Sequence, residues 1–364
     1  MNKNIKIMLW IFFIGLITLA SCSLRPLRNI QNNETGNTEN IDSELTIVGF
    51  SQLGSESDWR TANTKSIQNA FTKKNGFSLI FSNGRQSQEN QIKDVRSFIF
   101  QEVDYIVIAP VTETGWDTVL EEAKQAGIPV IIVDRMIETK DESLYVACVG
   151  TDKYAEGMKA GQWLEKYLEE QKNRNAALKE KVALSEETAS KEKNEQNKDN
   201  INIVVLEGTL NSTAQIGRSK GFEDVARRHK NWNILAHENG DFTKAKGKEV
   251  MEKFLQKFND IDVLVSQNDD MTFGAIEAIK EAGLTCGING DITVISFDAV
   301  SEAFDKMEEG LINVDIECNP LQGPMIAKII ERLEKGEKVD KISYVVGKVF
   351  EAENASKDRI GRSY

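Results

Sequence analysis

From Leu45 onward the chain repeats one pattern, a short apolar run followed by a longer amphipathic stretch, in two successive series. The first has apolar runs at Leu45–Phe50, Ser78–Ser82, Tyr105–Ala109, Val130–Val133 and Tyr145–Val149. Helical patterns near Ser57–Lys74, Ser87–Gln101 and Gly115–Ala126 lie between them. The second has runs at Ile203–Leu206, Ile234–His237, Val263–Ser266, Thr293–Phe297 and Val314–Ile316. Its helical patterns fall near Ala214–His229, Lys244–Lys257, Asp270–Ala282 and Ser301–Glu309. Runs this short, alternating with amphipathic stretches, build βα units and hence a mostly parallel sheet. Two such series predict the α/β class with two doubly wound lobes. Gly76 and Gly127 sit just past two of the helical patterns, where a left-handed C-terminal cap is expected.

The first residues lie outside this rhythm. Lys3 and Lys6 precede an uncharged apolar run, Ile7 to Ala20, too short to span a bilayer comfortably but of the size of a signal-peptide core. It ends at Leu19-Ala20-Ser21-Cys22, which resembles a bacterial lipobox, cut before a cysteine whose thiol is lipidated. Residues 1–21 are therefore expected to be a lipoprotein signal peptide, Cys22 the membrane anchor, and the polar stretch 22–44 a flexible tether. A plain signal peptide with an incidental cysteine, or an uncleaved anchor, would also leave the body outside the cytoplasm. Of the other cysteines, Cys148, Cys286 and Cys318, an odd number cannot all pair, and no spacing suggests a metal or redox motif. Buried free thiols are expected, with a Cys148–Cys318 bridge as the alternative. Residues 169–200, dominated by Glu, Lys, Asn and Ala with no lasting apolar face, read as a solvated, partly helical or disordered surface insertion.

A formal net charge of -12 argues against a phosphate-binding surface, so no nucleic-acid partner is expected. The chain shows no P-loop, no dinucleotide glycine fingerprint and no nucleophile elbow. Its two histidines, His229 and His237, fall at a helix end and in a strand-like run, and neither is placed as a general base or metal ligand. The expectation is a protein that is not an enzyme and uses no cofactor or metal.

In open α/β sheets ligands bind beyond the carboxyl ends of the strands, so the residues just after each apolar run are the candidates. They are Ser51, Gln52, Glu56, Trp59 and Arg60 after the first run, Pro110 and Thr112 after the third, and Asp134 and Arg135 after the fourth. In the second series they are Glu207, then Asn268, Asp269 and Asp270, then Asp298, with Arg218 about one turn into the helix after Glu207. Carboxylates, amides, guanidinium groups and an indole suit a neutral polyol, whose hydroxyls donate and accept at once. The indole of Trp59 would cover an apolar sugar face, provided its N–H finds a partner. Plainer readings stand beside these: a surface ion pair for Asp134-Arg135, core packing for Trp59, an i,i+4 pair for Glu56 and Arg60, and a helix N-cap for Asp269 or Asp270.

The segments "VGFSQLGSESDWR", "GRQSQENQIKDVRSF", "IVIAPVTETGWDTVLEEAKQAGIPVIIVDR", "GDFTKAKGKEVMEKF" and "QNDDMTFGAIEAIKEAG" together resemble the periplasmic sugar-binding proteins of ABC transporters. The similarity is to the ribose-binding-like class with a type I fold, and within it to galactofuranose-binding proteins. It covers roughly residues 45 to 350, interrupted by 169–200. It implies an N-terminal lobe of 45–149 plus 319–346, a C-terminal lobe of 150–318 plus 347–364, and crossovers near Gly150, Asn319 and Gly347. It implies that Asp134 and Arg135 hold sugar hydroxyls, and that Glu56, Trp59 and Arg60 close over the sugar from the N-terminal lobe. Arg218, Asn268 and Asp298 come from the other lobe. The implied ligand is a monosaccharide, galactofuranose- or galactose-like, captured by hinge closure. The implied partners are an ABC permease and its ATPase, and a monomer is expected. A sugar-sensing module signalling to a membrane kinase or chemoreceptor is the rival. One departure is "DIECNPLQGP", which puts Cys318 where ribose-binding relatives carry a sugar-contacting glutamine and counts against a ligand contact at 318–319.

Overall fold

The computed structural model describes residues 45–184 and 200–364. Cys22, the expected signal peptide and the tether lie outside the described residues, as do residues 185–199 of the expected insertion.

The first series folds as β1 (Thr46–Gln52), α1 (Asp58–Ala70), β2 (Phe77–Asn83), α2 (Gln88–Phe100), β3 (Tyr105–Ile108), α3 (Asp117–Gln125), β4 (Val130–Asp134) and β5 (Ala147–Gly150). The second folds as α4 (Lys153–Leu184), β6 (Ile201–Glu207), α5 (Thr213–Ala226), β7 (Trp232–Asn239), α6 (Lys244–Lys257), β8 (Val263–Ser266), α7 (Asp269–Glu281), β9 (Thr293–Asp298), α8 (Ser301–Glu308) and β10 (Val314–Glu317). Then come α9 (Gly323–Glu334), β11 (Ile342–Tyr344), β12 (Val349–Glu351) and a short final helix, α10 (Ala355–Asp358).

These strands form two six-stranded sheets, in the orders β11-β5-β4-β3-β1-β2 and β12-β10-β9-β8-β6-β7. Pairing is parallel except between β10 and β12. The order reverses between β1 and β3 in one sheet and between β6 and β8 in the other, the switch points that open a crevice at the strands' carboxyl ends. Apolar side chains cover both faces of each sheet. Val48, Phe50, Val107 and Ile131 pack on one face of the first sheet, with Ile106, Ile108, Ile132 and Leu120 on the other. Val204, Leu264 and Met271 lie on one face of the second, with Val205, Phe222 and Val314 on the other.

The chain passes between lobes after β5, after β10 and between β11 and β12. The three passages lie side by side: Val345 N donates to Gly150 O at 2.7 Å and Glu317 N to Lys348 O at 2.9 Å. Gly347 is required by that closeness, since a Cβ there would stand 1.9 Å from Glu317 O.

Most strands outrun their apolar cores by one or two polar residues, so Gln52, Asp134, Glu207 and Asp298 end strands rather than begin loops. The sequence pattern did not mark α9, β11 or β12. The helix α4 runs on to Leu184, into the composition break expected from 169, where Glu, Lys, Ala and Leu are all strong helix formers. Gly76 and Gly127 are left-handed, with φ of 84° and 73°. The three cysteines 148, 286 and 318 are buried and free, which excludes the Cys148–Cys318 bridge. Among the described residues no helix is long and apolar enough to cross a membrane.

Candidate functional site

The two sheets present their carboxyl ends to each other across a narrow cavity. Residues from both lobes and from the crossovers line it. The eight residues expected to hold a ligand, Glu56, Trp59, Arg60, Asp134, Arg135, Arg218, Asn268 and Asp298, all come together here. A larger hollow beside α8 is an open surface lined by Asp58, Glu302 and Asp305 and has no convergent buried groups.

On the first-lobe side, Ser57 caps α1 by accepting from Arg60 N at 3.1 Å, and this fixes the first turn over the cavity. Arg60 then donates from Nε to Glu56 Oε1 at 3.0 Å and from Nη2 to Asp134 Oδ2 at 2.6 Å. Asp134 ends β4 with φ at 67°, a left-handed conformation that turns the carboxylate back into the cavity. Arg135 donates from Nη1 to Val111 O at 3.1 Å, and its guanidinium lies 5.3 Å above the Phe242 ring. The Glu56–Arg60 pair is thus part of a buried network, and Asp134-Arg135 is no surface pair: all four side chains are 3 % exposed.

Trp59 is 4 % exposed, and its indole N–H donates to the Cys318 carbonyl, so the partner its burial demands is present. The ring packs with second-lobe apolar residues while lining the cavity, so the packing reading and a place in the cavity wall both hold for it.

On the second-lobe side, Arg218 is fully engaged. Its Nε donates to Glu156 Oε2 at 2.8 Å, Nη2 to Asp298 Oδ1 at 3.0 Å and Nη1 to the Gln267 carbonyl. The position depends on a close crossing of α4 and α5, where a Cβ on Gly157 would stand 2.2 Å from Arg218 O. Asn268 is the N-cap of α7: its Oδ1 accepts from Met271 N at 3.0 Å, while its Nδ2 donates to Phe242 O at 3.2 Å. This corrects the expectation that Asp269 or Asp270 caps that helix. Asp269 turns inward to Ser296 and Val300 N, and Asp270 accepts from Asp58 N of the other lobe at 3.2 Å.

Five lining residues fall outside the eight expected: Ser57, Lys153, Ala214, Phe242 and Cys318. Lys153, in the first turn of α4, donates to Asp134 Oδ1 at 3.1 Å and to Cys318 Sγ at 2.9 Å. The same rule that marked the other strand ends would have found it, three residues past β5. Cys318 lines the cavity, because β10 ends one residue before it. Phe242 enters from a left-handed Asp241-Phe242 turn (φ 51° and 58°) that no sequence pattern signals. Ser57 was overlooked because capping residues are common and short. Conversely, Ser51, Gln52 and Glu207 face away from the cavity, toward Asp94, Asn63 and Ser219 respectively.

The site's charges are nearly balanced. Burial alone would raise Asp134, but Lys153, Arg60 and Arg135 hold its carboxyl well below the usual range. Burial and the neighbouring Arg60 charge bring Arg135 down to about 10, so it stays protonated at neutral pH. Burial pushes the Cys318 thiol up to about 12. Three buried atoms of the lining residues, Glu56 Oε2, Arg60 Nη1 and Arg135 Nε, have no hydrogen-bond partner in the protein. One acceptor and two donors of this kind match a molecule whose groups both donate and accept. Among the described residues no cluster of His, Cys, Asp or Glu is arranged to hold a metal.

Comparison with known proteins agrees with this architecture. Residues 48–338 match the family model described as a periplasmic binding protein domain. The chain is 39% identical to the galactofuranose-binding protein YtfQ of Escherichia coli (strain K12) over 315 residues, 85% of this chain and 89% of that one. It is 41% identical, with a TM-score of 0.75, to the solved periplasmic binding component of the arabinose ABC transporter from Shewanella sp. ANA-3, bound to α- and β-L-arabinofuranose. That match covers 86% of this chain and 94% of the other. A Mycobacterium smegmatis structure in complex with β-D-fucofuranose is 38% identical, with a TM-score of 0.75 over 86% and 93% of the two chains. With its two switch-point sheets, its paired passages and the cavity between them, this chain belongs to the periplasmic binding protein family.

Proposed function

We propose that this protein captures a monosaccharide in its furanose form outside the cytoplasm and delivers it to an ABC importer, without chemical change to the sugar. The observation that carries the reading is the set of unpartnered buried atoms, Glu56 Oε2, Arg60 Nη1 and Arg135 Nε, on residues lining a cavity walled by both lobes. A sugar hydroxyl can accept from an arginine and donate to Glu56 or Asp134 together, which no apolar ligand does. The furanose assignment draws support from the named ligands of the three similar proteins, all five-membered rings. Cys22 would carry the lipid that keeps the protein at the membrane, with a permease and its ATPase as partners and a monomer as the working unit.

Binding follows from lobe closure. A sugar held by one lobe's groups gains the other lobe's only when the lobes meet, so the ligand favours the closed state by that difference in contacts. Because the sugar must leave again, the affinity is expected in the submicromolar to micromolar range, about -8 to -10 kcal/mol. The test is NMR of ¹³C-labelled L-arabinose and D-galactose with the full chain. Bound anomeric signals of furanose rings alone are expected; bound pyranose signals, or no bound form of either sugar, overturn the assignment.

A further inference from the structure

Asp298 stands on an unusual piece of backbone. It and the next residue, Ala299, both have positive φ, 109° and 60°, and neither is glycine. Two consecutive residues in this region are held only when their surroundings over-determine them. Here the restraint comes from two carboxyl groups behind the loop. Asp315, on β10, accepts from Ala299 N at 3.1 Å, and Asp269, in the first turn of α7, accepts from Val300 N at 2.9 Å. Asp269 Oδ1 also accepts from Ser296 Oγ at 2.5 Å, and Ser296 Oγ stands 2.8 Å from Thr272 Oγ1. The loop's remaining polar group, Ala299 O, accepts from Arg362 Nη2 at 2.8 Å.

Both aspartates are fully buried, and Asp315 Oδ2 has no hydrogen-bond donor, while the Asp269 carboxyl is its neighbour. Two adjacent carboxylates in a dry site cannot both stay ionised, whereas one proton between them turns repulsion into an O–H···O⁻ bond and satisfies the lone oxygen. We infer that Asp269 and Asp315 are positioning residues, a proton-sharing carboxyl pair that holds Asp298 in place for the ligand. The ionisable groups facing the pair are Asp298 on β9, whose own carboxyl burial raises well above the ordinary range, and Arg362 on the C-terminal tail. Arg218 and Lys153 stand beyond Asp298, and Glu317 is engaged by Arg362 Nη1 at 2.8 Å. Burial first, then the like charge of Asp315, raises Asp269 well above the ordinary range; burial brings Asp315 to about 7. The folded form therefore binds more protons than the unfolded from about pH 4 up through the Asp315 step near pH 7, and its stability falls as pH rises through that range.

For its effect on ligand affinity this inference rests on the sugar-capture reading, but the loop's own titration does not. The full ¹⁵N-labelled chain is followed by NMR from pH 5.5 to 9, and L-arabinose and D-galactose are titrated calorimetrically at pH 6 and 8.5. In the wild type, the Ala299 and Val300 amide signals are expected to shift with one common midpoint near pH 7, and affinity to fall about tenfold across the range. Asp315→Asn imitates the protonated pair. Its amide signals are expected to stay flat and its affinity to remain at the wild-type pH 6 level. Should Asp315→Asn fail to fold, Asp269→Asn carries the same comparison. Wild-type amides without a midpoint, an asparagine variant with the same midpoint, or unchanged wild-type affinity while the amides titrate would each overturn the inference. If neither sugar binds at any pH, the sugar reading fails and the amide titration alone decides the pair.

Discussion

The two walls of the cavity use similar residues differently. On the first-lobe wall, Glu56, Arg60, Asp134 and Arg135 bind one another yet keep one acceptor and two donors unspent. On the second-lobe wall, all three Arg218 nitrogens and both side-chain atoms of Asn268 are committed to protein partners. A wall with buried atoms that have no partner at all gains most from a ligand, while one whose atoms mostly hold a protein partner already gains less and chiefly shapes the cavity. The first lobe is thus expected to supply most of the polar binding energy, and the second the shape and the closure.

The contrast can be broken by mutation. Asp134→Ala leaves Arg60, Arg135 and Lys153 buried without their shared counter-charge. Saturable sugar binding is expected to vanish in calorimetry, and stability to drop by about 3–5 kcal/mol in denaturant titration. Gly157→Ala forces α5 away from α4 and moves Arg218 without touching its chemistry. Overpacking of this kind is expected to destabilise by about 1–3 kcal/mol, with binding weakened in step. Glu56→Gln keeps the shape but replaces the unspent carboxylate oxygen, and is expected to cost about tenfold in affinity with little change in stability. Asn268→Ala removes a helix cap at a cost of about 1 kcal/mol in thermal unfolding, and is expected to weaken binding less than Glu56→Gln does. An asparagine variant as damaged as Asp134→Ala would show that the second wall binds as strongly as the first.

Acid sharpens the same comparison. Burial would raise Asp134, but its three cations depress it, so its contribution to stability is present above the unfolded carboxylate range and is lost only as pH falls far below that range. Binding measured at pH 5 is accordingly expected to match that at pH 6. The alkaline side, governed by the carboxyls behind Asp298, is where it weakens.

The sequence made much of this readable because of one regularity: a charged residue that directly follows an apolar strand must stand at the sheet's end. Asp134 and Asp298 were visible for that reason, Asn268 as a polar residue two past such a strand, and Arg218 because it lies about one turn into the helix after one. Phe242 was hidden since its direction depends on two left-handed residues, Asp241 and Phe242 itself, whose identities do not announce that conformation. The roles of Asp269 and Asp315 were hidden for a different reason. They lie far apart in the chain and acquire meaning only where the loop after β9 brings both to its consecutive amides, Ala299 N and Val300 N. Likewise, α9 carries a clear apolar face but follows a crossover, where the alternating rhythm that identified the other helices is interrupted.

The central claim is that both walls close on a sugar and that Asp134 anchors it. The most direct test titrates L-arabinose, D-galactose and D-fucose calorimetrically into the full chain and into its Asp134→Ala variant. The account predicts one saturable site for at least one of these sugars in the wild type, and no measurable heat of binding in the folded variant. A folded wild type that binds none of them, or a variant that binds as tightly as the wild type, would contradict it.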